Sequence, residues 1–440
     1  MATGIVKCTL MAAMVVLTSL YFFPLGVKWL PGTNTKMLMA ALGLSIYLYN
    51  ISRGRLGEFG KDAVRLSLVA AVVSLIGFAS AVYNNTRDYA YATYIVSMWV
   101  WIGGAYAVIS CIRKVHGSAS IRIVGNYLVA VCVAQCALAL LIDSVPAVRQ
   151  FAHSILGNNL FVERVNRLYG IGAALDVAGS RFSAVLIIIA VFITRLREDE
   201  SRRVLPVYLL CFLWIGVVGN MIARTTTIGL VIGIAYFAYK SRFYTFRIPK
   251  EYNTLAAWLG GLLVLAVPLV IYFYNADANF RHDFRFAFEG FFSLVEEGSW
   301  DVASNNKLRG MYVFPETLKT WIIGDGYFAN PVYTDPYFTG RVVSGFYMGA
   351  DVGYLRFIFY FGLIGLAAIT GVFLTITGIC RRRFPHYGDL FLLLLVANLV
   401  IWFKVSTDIF PAFAPFFLLD AAESDACDQR GQAGATQDKA

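Results

Sequence analysis

Charge is scarce in this sequence: Asp, Glu, Lys and Arg supply 15% of its 440 residues, where soluble domains average about a quarter. That excludes an ordinary cytosolic enzyme. Histidine is scarcer still, with His116, His153, His282 and His386 far apart and none in an HExxH or HxxxH pairing. A metal centre would need carboxylates converging from distant loops, so neither a metal nor a cofactor is expected. A phosphate-binding loop is missing too, because GRLGEFGKD lacks both the glycine spacing and a Ser or Thr after Lys61; the chain alone cannot drive transport with ATP. Cysteine is sparse and placed inside: Cys8, Cys111, Cys132, Cys136, Cys211 and Cys380 fall in apolar runs or at their ends, and Cys427 lies near the C-terminus. No disulfide framework follows. Cys132 and Cys136 are one helical turn apart, but with no His or carboxylate beside them a core role outweighs a metal site. Intrinsic disorder, collagen and a nucleic-acid-binding domain each demand a composition the chain lacks.

What the chain has instead is apolar length. AVILMFWYC make up 58% of it, including 34 Phe and 25 Tyr, and the mean hydropathy is +0.65. The apolar material comes as long runs separated by short basic segments, which predicts an all-α polytopic membrane protein, since lipid leaves each backbone N–H and C=O dependent on an internal partner. Twelve transmembrane helices are expected, centred on residues 6–23, 37–50, 65–82, 90–111, 123–142, 181–194, 204–219, 226–239, 254–274, 352–379, 389–403 and 408–419, the sixth and last being short. The first reads as a retained anchor: it has the single Lys7, an 18-residue apolar run and no small-x-small cleavage site before Pro24.

Basic residues set the orientation. With the N-terminus inside, the cytoplasmic loops are residues 51–65, 113–122, 195–203, 240–250 and 381–388, each with three or four Lys or Arg. The other side carries short turns and two long loops, 143–180 and 275–350. Residues 1–419 then form one integral membrane domain, and the polar tail 420–440 is expected to be disordered in the cytoplasm.

Arg356 is the only charge clearly inside a run, with Asn126, Gln135 and Asn398 the main strongly polar neutral residues there. An ion-coupled transporter would place more ionisable groups in mid-membrane, so the working surface is expected on the outer face. In the larger loop, Phe280, Phe284, Phe288, Phe291, Phe292 and Val295 recur at helical spacing, which predicts an amphipathic helix on the lipid interface or the bundle. A second helix is predicted through KLRGMYVFPETLKTW. Beyond it, Trp321, Tyr327, Phe328, Tyr333, Tyr337, Phe338, Phe346 and Tyr347 stand among Gly and Asp, a mixture that suits the apolar face and hydroxyl fringe of a sugar ring or an interfacial aromatic belt.

Arginines at the outer ends of runs run against the cytoplasmic bias: Arg181, Arg224, Arg309, Arg341 and Arg356, the last two on either side of Asp351. A lipid pyrophosphate would give them a reason, because guanidinium groups grip phosphate bidentately and are less heavily hydrated than ammonium. Snorkelling to head groups, or pairing with Asp176, Glu163 or Glu316, is the competing explanation.

In order, GNMIARTTTIGLVIGIAYF, LRGMYVFPETLKTWIIGDGYF and ADVGYLRFIFYFGLIGLAAI resemble the motifs of the O-antigen polymerase and ligase superfamily (Wzy-type and relatives) over roughly residues 160–405. The resemblance implies a metal-independent, GT-C-like glycosyltransferase of the bacterial inner membrane, with both termini cytoplasmic. Its donor would be an undecaprenyl-pyrophosphate-linked oligosaccharide handled at the periplasmic face. Arg224 then matches the Arg of the span-opening motif, Arg309 the Arg before the G-x-G helix, and Arg181 the Arg closing the first outer loop. Where family ligases commonly have His-Asn, this chain has Asp351-Val352-Gly353, which favours polymerase over ligase.

The expectation is therefore an O-antigen polymerase that joins lipid-linked repeat units by inverting glycosyl transfer. Arg224 and Arg309 would clamp the pyrophosphate, and Asp351 would orient or deprotonate the acceptor unless it merely caps the tenth span. Arg181, Arg341, Arg356, Tyr354 and Tyr327 would bind substrate. The expected partners are lipid-linked oligosaccharides, membrane lipids and a chain-length regulator protein, with no nucleic acid. An O-antigen ligase acting on lipid A-core and a lipid-linked oligosaccharide flippase are the alternatives.

Overall fold

A long apolar run in lipid can satisfy its own backbone as helix, and the computed structural model has a helix at each of the twelve run positions. It describes residues 2–26, 32–53, 60–156, 167–196, 198–242, 253–331 and 345–424; Arg341, Glu163 and residues 425–440 lie outside the described residues. The helices are α1 Ala2–Phe22, α2 Thr35–Ser52, α3 Gly60–Tyr83, α4 Tyr94–His116, α5 Ile121–Ser144, α6 Pro146–Leu156, α7 Leu175–Ile193, α8 Glu198–Ile222, α9 Thr226–Lys240, α10 Asn253–Ala276, α11 Ala278–Ala287, α12 Glu289–Glu297, α13 Ala303–Arg309, α14 Leu318–Ile323, α15 Gly353–Arg383, α16 Gly388–Ile401 and α17 Phe410–Phe417. Among the described residues there is no strand, only isolated bridges at Gly26–Asn34 and Ala329–Phe346.

Among the described residues, six stretches are long and apolar enough to cross a membrane: α3, α4, α5, α7, Val204–Ile222 of α8, and α15. Shorter apolar helices lie at Val6–Phe22, Thr226–Lys240, Gly260–Ala276 and Pro385–Ile401. This is the architecture of a polytopic helical membrane protein. The two runs expected to be weakest behave differently. α7 has 19 residues and 83% of its apolar stretch is buried, so its brevity in sequence hid the most deeply packed helix among the six. α17 has eight residues, about 12 Å of helix against about 30 Å of hydrocarbon, too short to cross by itself.

The chain's contacts divide it into two compact units, residues 1–39 with 108–300 and 419–440, and residues 40–107 with 301–418. In the first, α7 packs against α5, α8 and α9, while α1 lies on α5. α9 reaches α7 at main-chain distance: a Cβ on Gly229 would overlap Ser183, whose Oγ donates to the Thr225 carbonyl (2.8 Å) and accepts from the Gly229 N–H (3.1 Å). Small residues permit that approach, the usual device where lipid supplies no hydrophobic drive between helices. The start of the tail also docks here. Glu423 accepts from Arg113 Nε and from the Ala119 N–H, each at 2.9 Å, and Ser424 Oγ from the Ile121 N–H at 3.3 Å. The disordered tail expected from residue 420 thus begins with held residues.

In the second unit, α3, α14, α16 and α17 pack around α15. α15 is broken at Phe361 and Gly362, the latter at φ 69°, and the carbonyls before the break take new donors: Asp325 N–H on Phe359 (2.6 Å), Gly326 N–H on Tyr360 (3.1 Å) and Ser80 Oγ on Tyr360 (2.6 Å). The Gly324-Asp325-Gly326 turn is therefore the piece that seals a broken membrane helix.

Two loop expectations are corrected. The amphipathic stretch after residue 275 is two helices, α11 and α12, separated at Phe288 (φ −116°, ψ 26°). Residues 307–321 are not one helix either: α13 ends at Arg309 and α14 begins at Leu318, because Gly310 and Pro315 interrupt the backbone ladder.

Replacing Gly362 by Ala is expected to lower the melting temperature of the detergent-solubilised protein. The left-handed backbone alone costs about 1–3 kcal/mol for a residue with a side chain, and a Cβ there would overlap the Ile322 carbonyl. An unchanged melting curve would contradict the sealed break.

Candidate functional site

Three threonines fix the turn that presents Arg224. Thr225 Oγ1 donates to Asp176 Oδ1 in the first turn of α7, Thr226 Oγ1 to the Gly219 carbonyl (3.0 Å) and Thr227 Oγ1 to Asn220 Oδ1 (2.6 Å). From that turn Arg224 reaches α11 and α12. Its Nε donates to the Phe286 carbonyl at 2.9 Å, its Nη2 pairs with Glu289 Oε2 at 2.6 Å, and its guanidinium carbon lies 4.0 Å from the Phe286 ring centre. Burial lowers its pKa from the usual arginine value, Glu289 opposes that shift, and Arg167 adds to it; an arginine stays charged through such shifts.

Arg167 is the cation responsible, and its guanidinium carbon lies 4.8 Å from the same Phe286 ring. No hydrogen bond or ion pair joins it to a described residue. It also lines a cavity of about 350 Å³, whose other walls are Ala139, Ile142 and Asp143 at the end of α5, Arg149 and His153 of α6, Leu168, Tyr169, and Asn279 and Asp283 of α11. Arg149 is engaged at the end of α5, with Nε on the Ile142 carbonyl (3.1 Å) and Nη2 on Asp143. His153 Nε2 and the Tyr169 hydroxyl are 2.6 Å apart.

Asp283 is the cavity's deepest charge, 8% exposed, with His282 Nδ1 3.2 Å from its Oδ1. Burial raises its carboxyl above the usual range; the His282 hydrogen bond works against this, and Asp143 and Asp277 add to it.

Of the other expected residues, Arg181 shares a unit with Arg224 and the described remainder belong to the second unit. Arg181, in α7, does not join Arg224. Gly179 and Ser183 face the α8–α9 turn, whereas Arg181, between them, is turned by about 200° of helix from each. It is 5% exposed and packs over Phe22 and Phe23, at 5.8 and 5.4 Å. In the second unit Asp351 and Arg356 are brought together, at 3.9 Å. Val352, not Asp351, occupies the N-cap of α15, and no side chain caps it, so the capping role weighed for Asp351 is not the one it plays. Arg356 lies between Phe328 (3.8 Å) and Phe346 (4.2 Å), donates to Ser406 Oγ (2.8 Å) and the Phe328 carbonyl (3.2 Å), and keeps a buried Nε with no acceptor among the described residues. Tyr354 donates its hydroxyl to the Leu399 carbonyl (2.8 Å) and packs on Trp402 and Phe403. Tyr327 lies against Tyr347, 5.2 Å between ring centres. Arg309 ends α13 exposed, with no ion pair to a described residue.

Arg167, Arg149 and Asp283 were not singled out as site residues from sequence. Arg167 sits in the first long outer loop and Asp283 on the polar side of the amphipathic pattern, so the only signal was position; their convergence is tertiary. Among the described residues no group of three His, Cys, Asp or Glu could hold a metal ion. The chain matches no family model, no curated protein and no solved structure.

The raised Asp283 carboxyl gives a signed expectation. A folded pKa above the unfolded value, about 3.9, contributes stability below the unfolded value that is lost as pH rises through the folded one. Asp283→Asn should therefore melt above the wild type at about pH 7, with the gap closing as pH falls toward about 4. Thermal unfolding across that range checks it, and a variant less stable at neutral pH contradicts it.

Proposed function

We propose that the chain is a glycosyltransferase acting on lipid-linked sugars, an O-antigen or surface-polysaccharide polymerase that joins undecaprenyl-pyrophosphate-linked repeat units by inverting transfer at the periplasmic face. The observation that carries this reading is the pair of guanidinium groups, Arg224 and Arg167, over the single ring of Phe286. Two cations held together at a half-buried site repel one another, and an anion seated between them relieves that cost. Of the two arginines it is Arg224 that pairs with Glu289, and that carboxylate is one-third exposed. A pyrophosphate has the charge and the paired oxygens to answer both arginines.

The chemistry matches what these residues can do. The leaving pyrophosphate gains charge as the glycosidic bond breaks, and donors already fixed in place stabilise that charge without reorganising. The threonine turn supplies the fixing for Arg224. The Asp351-Val352-Gly353 sequence, where ligases of the resembled family commonly carry His-Asn, supports polymerisation over ligation.

In a purified assay with lipid-pyrophosphate-linked repeat units, Arg224→Ala and Arg167→Ala should each lower the rate about 100- to 1,000-fold. Lysine at either position should restore only part of it, since one ammonium cannot reproduce a planar fork. Full activity in both alanine variants would remove the clamp. A deletion strain should show surface polysaccharide collapsed to core plus one repeat unit; complete loss of attached repeats would instead indicate a ligase or a flippase.

A further inference from the structure

We propose that the polar cavity beside Arg167 receives the acceptor sugar and that Asp283 is the base that takes its hydroxyl proton. This rests on the glycosyl-transfer reading above and adds to it the group that completes the reaction.

Arg167 belongs to two surfaces at once: the Phe286 ring it shares with Arg224, and the cavity wall. Of the two ends of a diphosphate seated on the arginine pair, the sugar suits these polar walls and the polyprenyl chain does not. At about 350 Å³ the cavity falls in the range of small-ligand sites, and its walls carry the mixed donors and acceptors that hydroxyl groups need.

Two carboxylates line it, and they are not equivalent. Burial raises the carboxyl of Asp143 as well, but Arg149 opposes that shift and holds one of its oxygens, while also binding the Ile142 and Asp143 carbonyls. Asp283 has no arginine. Its Oδ1 faces His282, while its Oδ2 has no hydrogen-bond partner among the described residues. Burial also holds its proton affinity above that of an ordinary carboxylate, closer to what a base working near neutrality requires. His282 is 58% exposed at its side chain, so it joins the buried carboxylate to bulk water.

The step balances. Asp283 Oδ2 accepts the acceptor's hydroxyl proton as that oxygen's electron pair forms the bond to the anomeric carbon. The bond from that carbon to the pyrophosphate oxygen breaks, its electron pair leaves on the pyrophosphate, and Arg167 and Arg224 balance the added charge. The proton then passes by way of His282 to water, regenerating the carboxylate. The charged and titratable groups around Asp283 are Asp143 from α5, Arg149 and His153 from α6, Arg167 and Tyr169 from the segment before α7, and Asp277 and His282 on its own side.

The test uses the full-length protein with purified lipid-pyrophosphate-linked repeat unit, following transfer rate and equilibrium binding of that unit across pH. Asp283→Asn should bind the repeat unit as the wild type does yet transfer it about 100- to 10,000-fold more slowly, and should lose the rising limb of the pH–rate profile. Asp283→Glu should recover part of the rate. Wild-type transfer accompanied by near-normal rate in Asp283→Asn overturns the base role and leaves the glycosyltransferase reading standing. Loss of binding in proportion to rate overturns it also, in favour of a structural role. No transfer by the wild type overturns both.

Discussion

Where α15 opens at Phe361 and Gly362, main-chain carbonyls lose their helical partners in a segment apolar enough to lie in lipid. Left unmet, each such group would cost several kcal/mol in hydrocarbon. The turn at Gly324-Asp325-Gly326 and the Ser80 hydroxyl meet them, and much of the second unit follows from that need. Asp88 holds the chain just beyond the turn by accepting from the Phe328 and Ala329 N–H groups (2.8 and 3.0 Å). Phe328 in turn supplies both a ring face and a carbonyl to Arg356. Closing the backbone break thus also positions the charge.

The same constraint sorts the arginines. Arg181 and Arg356 are surrounded by aromatic faces, two rings each, an arrangement that lets a guanidinium be buried at tolerable cost. Arg167 differs, because a shared ring and a cavity wall surround it and no carboxylate among the described residues answers it. Under the proposed function, the donor's diphosphate supplies that answer. Arginine count in sequence could not make this distinction; only the company each one keeps does.

How far the sequence reached can be judged from particular elements. Each of the twelve apolar runs coincides with a helix, and six of those helices hold a stretch long and apolar enough to cross a membrane among the described residues, since helix is a local solution to a local demand. The side assignments are coherent within each unit: Asp62 of the 51–65 segment pairs with Arg382 and Arg383 of 381–388, and Arg122 donates to the Arg195 carbonyl (3.1 Å), each joining two segments read as lying on one side. Breaks were harder. FYFGLIG in α15 reads as continuous helix because nothing local announces that Gly324, far away in sequence, docks against it. For the site, Arg224 was legible from its place at a span end, whereas Arg167 and Asp283 needed the tertiary approach of two loops, which leaves no period or spacing in the chain.

Arg224 illustrates why the residue type matters as much as its charge. Its Nε anchors on the Phe286 carbonyl while Nη2 faces Glu289, so the plane of the guanidinium is set before any ligand arrives. An incoming oxyanion has to compete with one partly exposed glutamate and need not disturb the anchor. Lysine has a single nitrogen on a flexible stem; to take the oxyanion it would have to turn from one partner toward another and rebuild its geometry during the reaction. The threonine turn beneath Arg224 serves the same end, since a donor fixed by the fold costs nothing to reorganise when charge develops. The rigidity of the turn, more than the number of nearby positive charges, is what would make this a catalytic arrangement as well as a binding one.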